Sequence, residues 1–161
     1  MNFLYDRNKN FKISVFNNRL FWTILFAKII VGFLFASEFL TNLFYPFIDH
    51  FINNGPSSAY ESFYLSGKEN SFPYPVLMLC ITGFFKLFFS NDNILSFVDL
   101  FLIRIPILLA DFAILLVLCR WLKKHQLKVI LFYWLNPILF YINYLHGQLD
   151  IIPTAFLIIS L

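Results

Sequence analysis

Polar side chains that could do chemistry are concentrated in one short segment between two apolar runs. Residues 146–150 read His-Gly-Gln-Leu-Asp, so His146, Gln148 and Asp150 offer an imidazole, an amide and a carboxylate within about one helical turn. One histidine and one aspartate are too few ligands to complete a metal motif of known spacing. These side chains suit the binding of hydroxyl groups on a polar substrate, or the fixing of a neighbouring helix end.

Glu38 is a second candidate, because it lies near the end of the first long apolar run, in the sequence Ala-Ser-Glu-Phe. A carboxylate at that boundary would stand at the mouth of a membrane-embedded cleft. There it could act as a general base or hold a divalent cation. The alternative is a carboxylate that only marks the end of the run.

Arg104 and Asp111 are charges inside a third apolar run. Their separation of seven residues places them on one helix face, about 10 Å apart along its axis, so they can point into one groove without pairing directly. Charges within a span are costly and face a protein interior or a wet cavity. A functional role and a structural pairing with Lys28, Lys86 or Asp99 both remain open.

The elements that must position these residues follow from the composition. The chain has 161 residues, of which 60% are hydrophobic and 13% charged, with a mean hydropathy of +0.73. This is too apolar for a typical soluble domain. A bilayer core about 30 Å thick needs roughly 20 helical residues per crossing, and long non-alternating apolar runs favour helices over barrel strands. The composition predicts an all-α, polytopic transmembrane bundle.

The pattern along the chain indicates a single membrane domain. Residues 1–19 form a basic tail, which the positive-inside rule places in the cytoplasm. The predicted spans are about 20–40, 74–89, 94–118, 129–144 and 151–161. Residues 41–73 are predicted to form an amphipathic external loop whose aromatic side chains suit short helices at the headgroup level. Because the fifth run is only about half a crossing long, we expect an incomplete, N-terminal part of a longer protein.

The basic connector at residues 120–128 conflicts with a simple topology. If each run crosses once, this connector lies outside, whereas the positive-inside rule prefers the cytoplasm. Either one run is re-entrant, or the basic side chains meet anionic headgroups or a lipid-linked phosphate outside. The modest net charge of +3, scattered over the ends of the runs, makes nucleic acid an unlikely partner.

Several short motifs also occur in an order that is typical of one enzyme class. They are Glu38 after the first run, Tyr74-Pro75, Arg104-Ile105-Pro106 with Asp111, Asn136-Pro137, and the Gly-Gln-Leu-Asp of residues 147–150. In this order the chain resembles, from about residue 21 to its end, the N-terminal part of the GT-C class of membrane glycosyltransferases. Two departures are that Glu38 stands alone where many relatives have two acids, and that Val76 replaces a second proline.

The resemblance implies an enzyme that transfers a sugar from a polyprenyl-phosphate donor to an acceptor hydroxyl with inversion. It implies that Glu38 is the general base and that Arg104, or the connector at 120–128, stabilises the leaving phosphate. The residues that it implies for binding of the donor phosphate or the substrate are Arg104, Tyr74, Asp111, Gln148, Asp150 and His146.

The same resemblance bears on partners and location. It implies a lipid-linked sugar donor and membrane lipids as partners, in a bacterial inner membrane or the endoplasmic reticulum. No cofactor is required with certainty and no metal ligand is assigned, although a divalent cation at Glu38 is left open. The sugar, the acceptor and the oligomeric state are not indicated. The alternative is a non-enzymatic membrane protein, either a transporter fragment or an inactive truncated transferase.

Overall fold

A computed structural model describes residues 14–89 and 97–161, and every regular element in this part of the chain is helical, which confirms the all-α class. The α-helices are α1 (Arg19–Leu34), α2 (Tyr45–Asn54), α3 (Pro56–Leu65), α4 (Val76–Phe89), α5 (Phe97–Trp121), α6 (Gln126–Val129), α7 (Pro137–Phe140) and α8 (Ile151–Ser160). Wider π-helical turns occupy Leu40–Phe44, Ile130–Trp134 and Tyr141–His146, and short 3-10 turns occupy Ser14–Asn17, Glu69–Ser71 and Lys123–His125. The predicted tail up to residue 13 and the start of the predicted span 94–118 lie outside the described residues.

The helix α1 begins at an asparagine cap and ends before the predicted span 20–40 does. The Asn18 side chain accepts a hydrogen bond from the Leu20 amide at 2.9 Å, which satisfies one of the open donors of the first turn. The helix ends at Leu34, and residues 35–37 are not helical. Glu38 therefore follows a break in the chain instead of lying within a continuous helix.

One long helix and one broken helix form the centre of the bundle. Among the described residues, α5 is long and apolar enough to cross a bilayer, and the broken helix is a second candidate if its halves, Lys123–Trp134 and Pro137–His146, count as one crossing. The halves meet at an angle of 51°. Asn136 caps the second half by accepting hydrogen bonds from the amides of Ile138 and Leu139. Pro137 suits the first position of that helix because it has no amide hydrogen to satisfy.

The start of α1 and the basic connector lie at the same end of the bundle. A cavity there is lined by residues of both segments: Val15, Asn17, Asn18, Arg19, Gln126, Leu127 and Ile130. Phe21 stacks on Trp134 with ring centroids 5.6 Å apart. We call this end, with Arg19, Arg120, Lys123 and Lys124, the basic end. At the opposite end, the chain after α1 contacts the last turn of the broken helix, because the Ser37 amide donates to the Leu145 carbonyl at 3.2 Å.

Residues at both ends of α4 contact the stretch 44–49, which covers the last residue before α2 and the first turns of α2. Just before α4, the Tyr74 ring packs against Phe44 with centroids 5.7 Å apart. Near its other end, Lys86 donates to the carboxylate of Asp49 and lies 4.0 Å over the Tyr45 ring. Residues 41–73, predicted as a loop, contain the two ten-residue helices α2 and α3. Both ends of α4 are thus held close to the segment that follows Glu38.

Candidate functional site

Asp111 is the centre of a buried polar cluster. Its Oδ2 accepts hydrogen bonds from Lys28 Nζ and from the Tyr144 hydroxyl, each at 2.7 Å, and its Oδ1 accepts one from Tyr133 at 2.8 Å. Lys28 Nζ also lies 3.4 Å from the centre of the Trp134 ring, where the negative face of the indole favours a cation. Asp111 and Lys28 are 1% and 2% exposed. The carboxylate therefore joins α1, α5 and the broken helix.

Arg104 lies on the next turns of α5 toward the Glu38 end and binds the open end of α1. Its Nη1 donates to the Gly32 carbonyl at 2.8 Å and its Nη2 to the Phe35 carbonyl at 2.7 Å. The last carbonyls of a helix have no partner within the helix and carry partial negative charge, so a guanidinium is favoured there. Nη1 also donates to the Leu100 carbonyl, whereas the buried Nε has no hydrogen-bond partner in the described part of the chain. Arg104 thus positions the segment that leads to Glu38.

Residues 35–39 connect this helix end to the His146 turn. Besides its amide bond to Leu145, Ser37 donates from its hydroxyl to the His146 carbonyl at 2.8 Å. The next residue but one, Phe39, packs its ring 5.4 Å from the His146 imidazole. Glu38, between them, is exposed. The candidate base therefore lies beside the polar segment 146–150, although more than a hundred residues separate the two in sequence.

Gly147 makes this contact possible through its backbone. Its φ of +81° lies in the left-handed region, which strains residues with a Cβ. A Cβ at this position would also lie 3.3 Å from Leu40 Cδ1. The Gly147 and Gln148 amides both donate to the Ile142 carbonyl, which closes the end of the broken helix. The turn brings the chain directly against the segment that contains Glu38.

Tyr74 also lies at the Glu38 end of the bundle, where it contacts the residues just after the Gly147 turn. Its hydroxyl donates to Asp150 Oδ2 and accepts from the Leu149 amide, both at 3.4 Å. The Tyr60 hydroxyl donates to the Tyr74 backbone carbonyl at 2.8 Å. Burial raises the pKa of Tyr60, so this phenol stays a hydrogen-bond donor at neutral pH. Tyr74 is therefore held by its backbone while its hydroxyl bridges the start of α8.

Three buried polar atoms near the contact between residues 35–39 and the His146 turn have no hydrogen-bond partner among the described residues. They are Arg104 Nε, Asn143 Nδ2 and His146 Nδ1. Asn143 precedes His146 by one helical turn, and Arg104 binds the segment that His146 also contacts. Buried polar atoms in proteins nearly always form hydrogen bonds. Three such atoms without a partner in one region therefore indicate that a polar ligand group or water forms hydrogen bonds there.

The predicted site residues therefore divide into two groups. Glu38, Tyr74, His146 and Asp150 lie around one junction, with the half-buried Gln148 between the last two. Arg104 is linked to the junction through Phe35, whereas Asp111 belongs to the cluster around Lys28. Nothing in this arrangement tests the catalytic role of Glu38 or the binding roles of the others, which stay predictions.

Sequence reasoning missed several residues of these two sites. Ser37 and Asn143 carry no signal beyond being polar in apolar surroundings. The hydroxyls of Tyr133 and Tyr144 fall in a predicted span, where a phenol commonly indicates a membrane interface. Lys28 was not missed, because it was named with Lys86 and Asp99 as a possible structural partner of Arg104 and Asp111.

Within the part of the chain that is described, no three His, Cys, Asp or Glu side chains are grouped so as to hold a metal ion. Comparison of the chain with protein-family models, with curated proteins and with solved structures finds no match.

Proposed function

We propose that this chain belongs to a membrane glycosyltransferase that moves a sugar from a polyprenyl-phosphate donor to an acceptor hydroxyl. The observation that carries the proposal is the junction around Ser37. Ser37 bonds to Leu145 and His146, and two residues before it Phe35 accepts from Arg104. The motifs around Glu38, Arg104 and residues 147–150, which are far apart in the sequence, are therefore neighbours at one end of the bundle.

The proposed reaction uses one proton acceptor and one cationic region. The Glu38 carboxylate takes the proton of the acceptor hydroxyl, whose oxygen forms a bond to the anomeric carbon while the bond from that carbon to the lipid phosphate breaks. The electron pair leaves with the phosphate, so negative charge develops there. A preorganised donor such as Arg104 Nε stabilises that charge. The connector at 120–128 does not take this role, because it lies at the basic end, away from Glu38.

We further propose a membrane arrangement that removes the conflict over the basic connector. The helices α1 and α5 and the broken helix each cross, and α8 begins a further crossing. The short helix α4 stays on the Glu38 side, since residues at both of its ends contact the stretch 44–49. The connector at 120–128 then lies in the cytoplasm beside Arg19, as the positive-inside rule prefers.

Impermeant maleimide labelling of intact cells would test this arrangement. In full-length protein with Cys80, which is exposed, replaced by Ala, and with the buried Cys119 retained, Lys68→Cys should react from outside. Lys124→Cys should react only after permeabilisation. The parent protein carrying only Cys80→Ala is the control for residual labelling. Equal reaction of the two variants in intact cells would contradict the proposal.

The activity itself can be tested with membranes that contain the full-length protein. Polyprenyl-phosphate mannose and glucose, radiolabelled in the sugar, should lose label to a new product, with release of polyprenyl phosphate. Membranes without the protein are the control. Consumption of nucleotide sugars instead, or no consumption of either lipid-linked donor, would contradict the proposed function.

A non-enzymatic membrane protein is the second candidate function, and one observation favours it. Asp111 and two of the three guanidinium nitrogens of Arg104 have partners within the chain, as expected of charges that only stabilise a helical bundle. In that case neither donor would be consumed, whereas the membrane arrangement would be unchanged.

A further inference from the structure

An apolar groove runs between α4, α5 and α8. It has a volume of about 280 Å³. Its wall on α5 is formed by Pro106, Leu109, Ala110 and Ala113, and the facing wall on α8 by Ile152, Ala155, Phe156 and Ile159. The small alanines on both helices leave space between the larger side chains, and the lining offers almost no hydrogen-bonding group. Such a groove suits an unbranched alkyl chain.

A second cavity lies next to the groove at the basic end. This cavity, of about 620 Å³, shares Ile159 with the groove and is also lined by Arg120, Trp121 and Lys123. Arg120 is exposed, and 48% of Trp121 is exposed. A half-exposed tryptophan next to cationic side chains is typical of the level of the lipid headgroups.

The part of α5 that lines the two cavities is longer than one leaflet of a bilayer is thick. From Arg120 to Pro106 the helix α5 rises by about 21 Å. Half of a hydrocarbon core is about 15 Å thick. An alkyl chain that starts at Arg120 can therefore lie along Ala113 and Leu109 for the full depth of the leaflet.

We propose that this groove binds one acyl chain of an anionic phospholipid, whose phosphate contacts Arg120 and Lys123. The positive charges of Arg120 and Lys123 select an anionic headgroup, since basic pockets between helices on the cytoplasmic side attract such lipids. The apolar lining selects a lipid over a free phosphate. The site lies at the end of the bundle opposite Glu38, and its occupation does not depend on sugar transfer.

Quenching of Trp121 fluorescence by brominated lipids tests the proposal in the full-length protein. With Trp22→Phe, which removes the other exposed tryptophan of the described residues, the protein is reconstituted in phosphatidylcholine vesicles. Brominated phosphatidylglycerol should quench Trp121 more strongly than brominated phosphatidylcholine at the same mole fraction. Equal quenching by the two lipids, or none because another part of the protein covers the groove, would overturn the proposal.

Two kinds of variant distinguish recognition of the lipid headgroup from binding of the acyl chain. Arg120→Gln should weaken the preference for phosphatidylglycerol roughly five-fold, and Lys123→Gln should act similarly. Lys68→Gln, an exposed lysine in another part of the protein, is the matched control and should leave it unchanged. Ala113→Phe should fill the groove and lower quenching by both lipids. If Ala113→Phe instead dissociates an oligomer without changing the quenching, the groove holds a second copy of the chain and the proposal is wrong.

Discussion

Replacing Glu38 by glutamine should lower the rate of sugar transfer by roughly 10²- to 10⁴-fold, the usual contribution of a general base. Glutamine keeps the size and hydrogen-bonding shape of the side chain but cannot take up the proton of the acceptor hydroxyl. Because Glu38 is exposed and follows a break in the helix, its loss should leave the fold intact. The measurement is the initial rate of label transfer from the lipid-linked donor in membranes that contain equal amounts of each protein.

Glu61→Gln is the matched control, since Glu61 is also exposed and lies in the helical region between the first two predicted spans. Its activity should equal that of the unmodified protein. Donor affinity should change little in Glu38→Gln, because the base acts on the acceptor. Full activity of Glu38→Gln would remove this residue from the mechanism, and a loss of the same size in Glu61→Gln would assign the effect to the surface charge of that region.

Replacing Asp111 by leucine should lower the free energy of unfolding by about 3–5 kcal/mol, as expected when one partner of a buried ion pair is removed. Lys28 would stay buried with only the Trp134 ring and the phenol rings beside its charge, and two hydroxyls would lose their acceptor. The effect is large because both members of the pair are almost fully buried. Reversible unfolding of the full-length protein in detergent micelles measures it.

The double variant Lys28→Met with Asp111→Leu should recover much of this loss, because no unpaired charge then stays in the interior. Asp49→Ala is a control that breaks a second ion pair, between Asp49 and Lys86. The Lys86 side chain is only 4% exposed, but a quarter of the Asp49 side chain is, so water can take the place of the removed carboxylate and the loss should be smaller. If Asp111→Leu cost no more than Asp49→Ala, the buried cluster would not stabilise the bundle.

The helical class could be predicted because it depends on local patterns. Long apolar runs leave backbone groups that only a helix satisfies within one segment. The break at Asn136-Pro137 was not predicted, because the predicted span 129–144 runs through it, whereas Asn136 caps a new helical segment there. The pairing of Lys28 with Asp111 was only one of several options, because nothing in local spacing selects a partner 83 residues away.

The candidate site was harder to predict for the same reason. Glu38 and His146 were both identified as polar residues in apolar surroundings, but their proximity depends on two hydrogen bonds of Ser37, a residue without a distinctive pattern. The position of α4 was also not predictable, since a run of apolar residues has the same composition whether it crosses a bilayer or returns. The contact between Lys86 and Asp49 supports the proposal that α4 returns.

The position of α4 has a consequence for how such a chain would be inserted during synthesis. Under the proposed arrangement, the apolar helix α4 is not inserted across the bilayer during synthesis but stays on the side of Glu38. Every segment after α4 then has the orientation opposite to the one expected if each apolar run crossed the membrane once. A change that made α4 cross, such as the loss of the Lys86 charge, would invert the orientation of α5 and move Glu38 and Arg104 to opposite faces of the membrane.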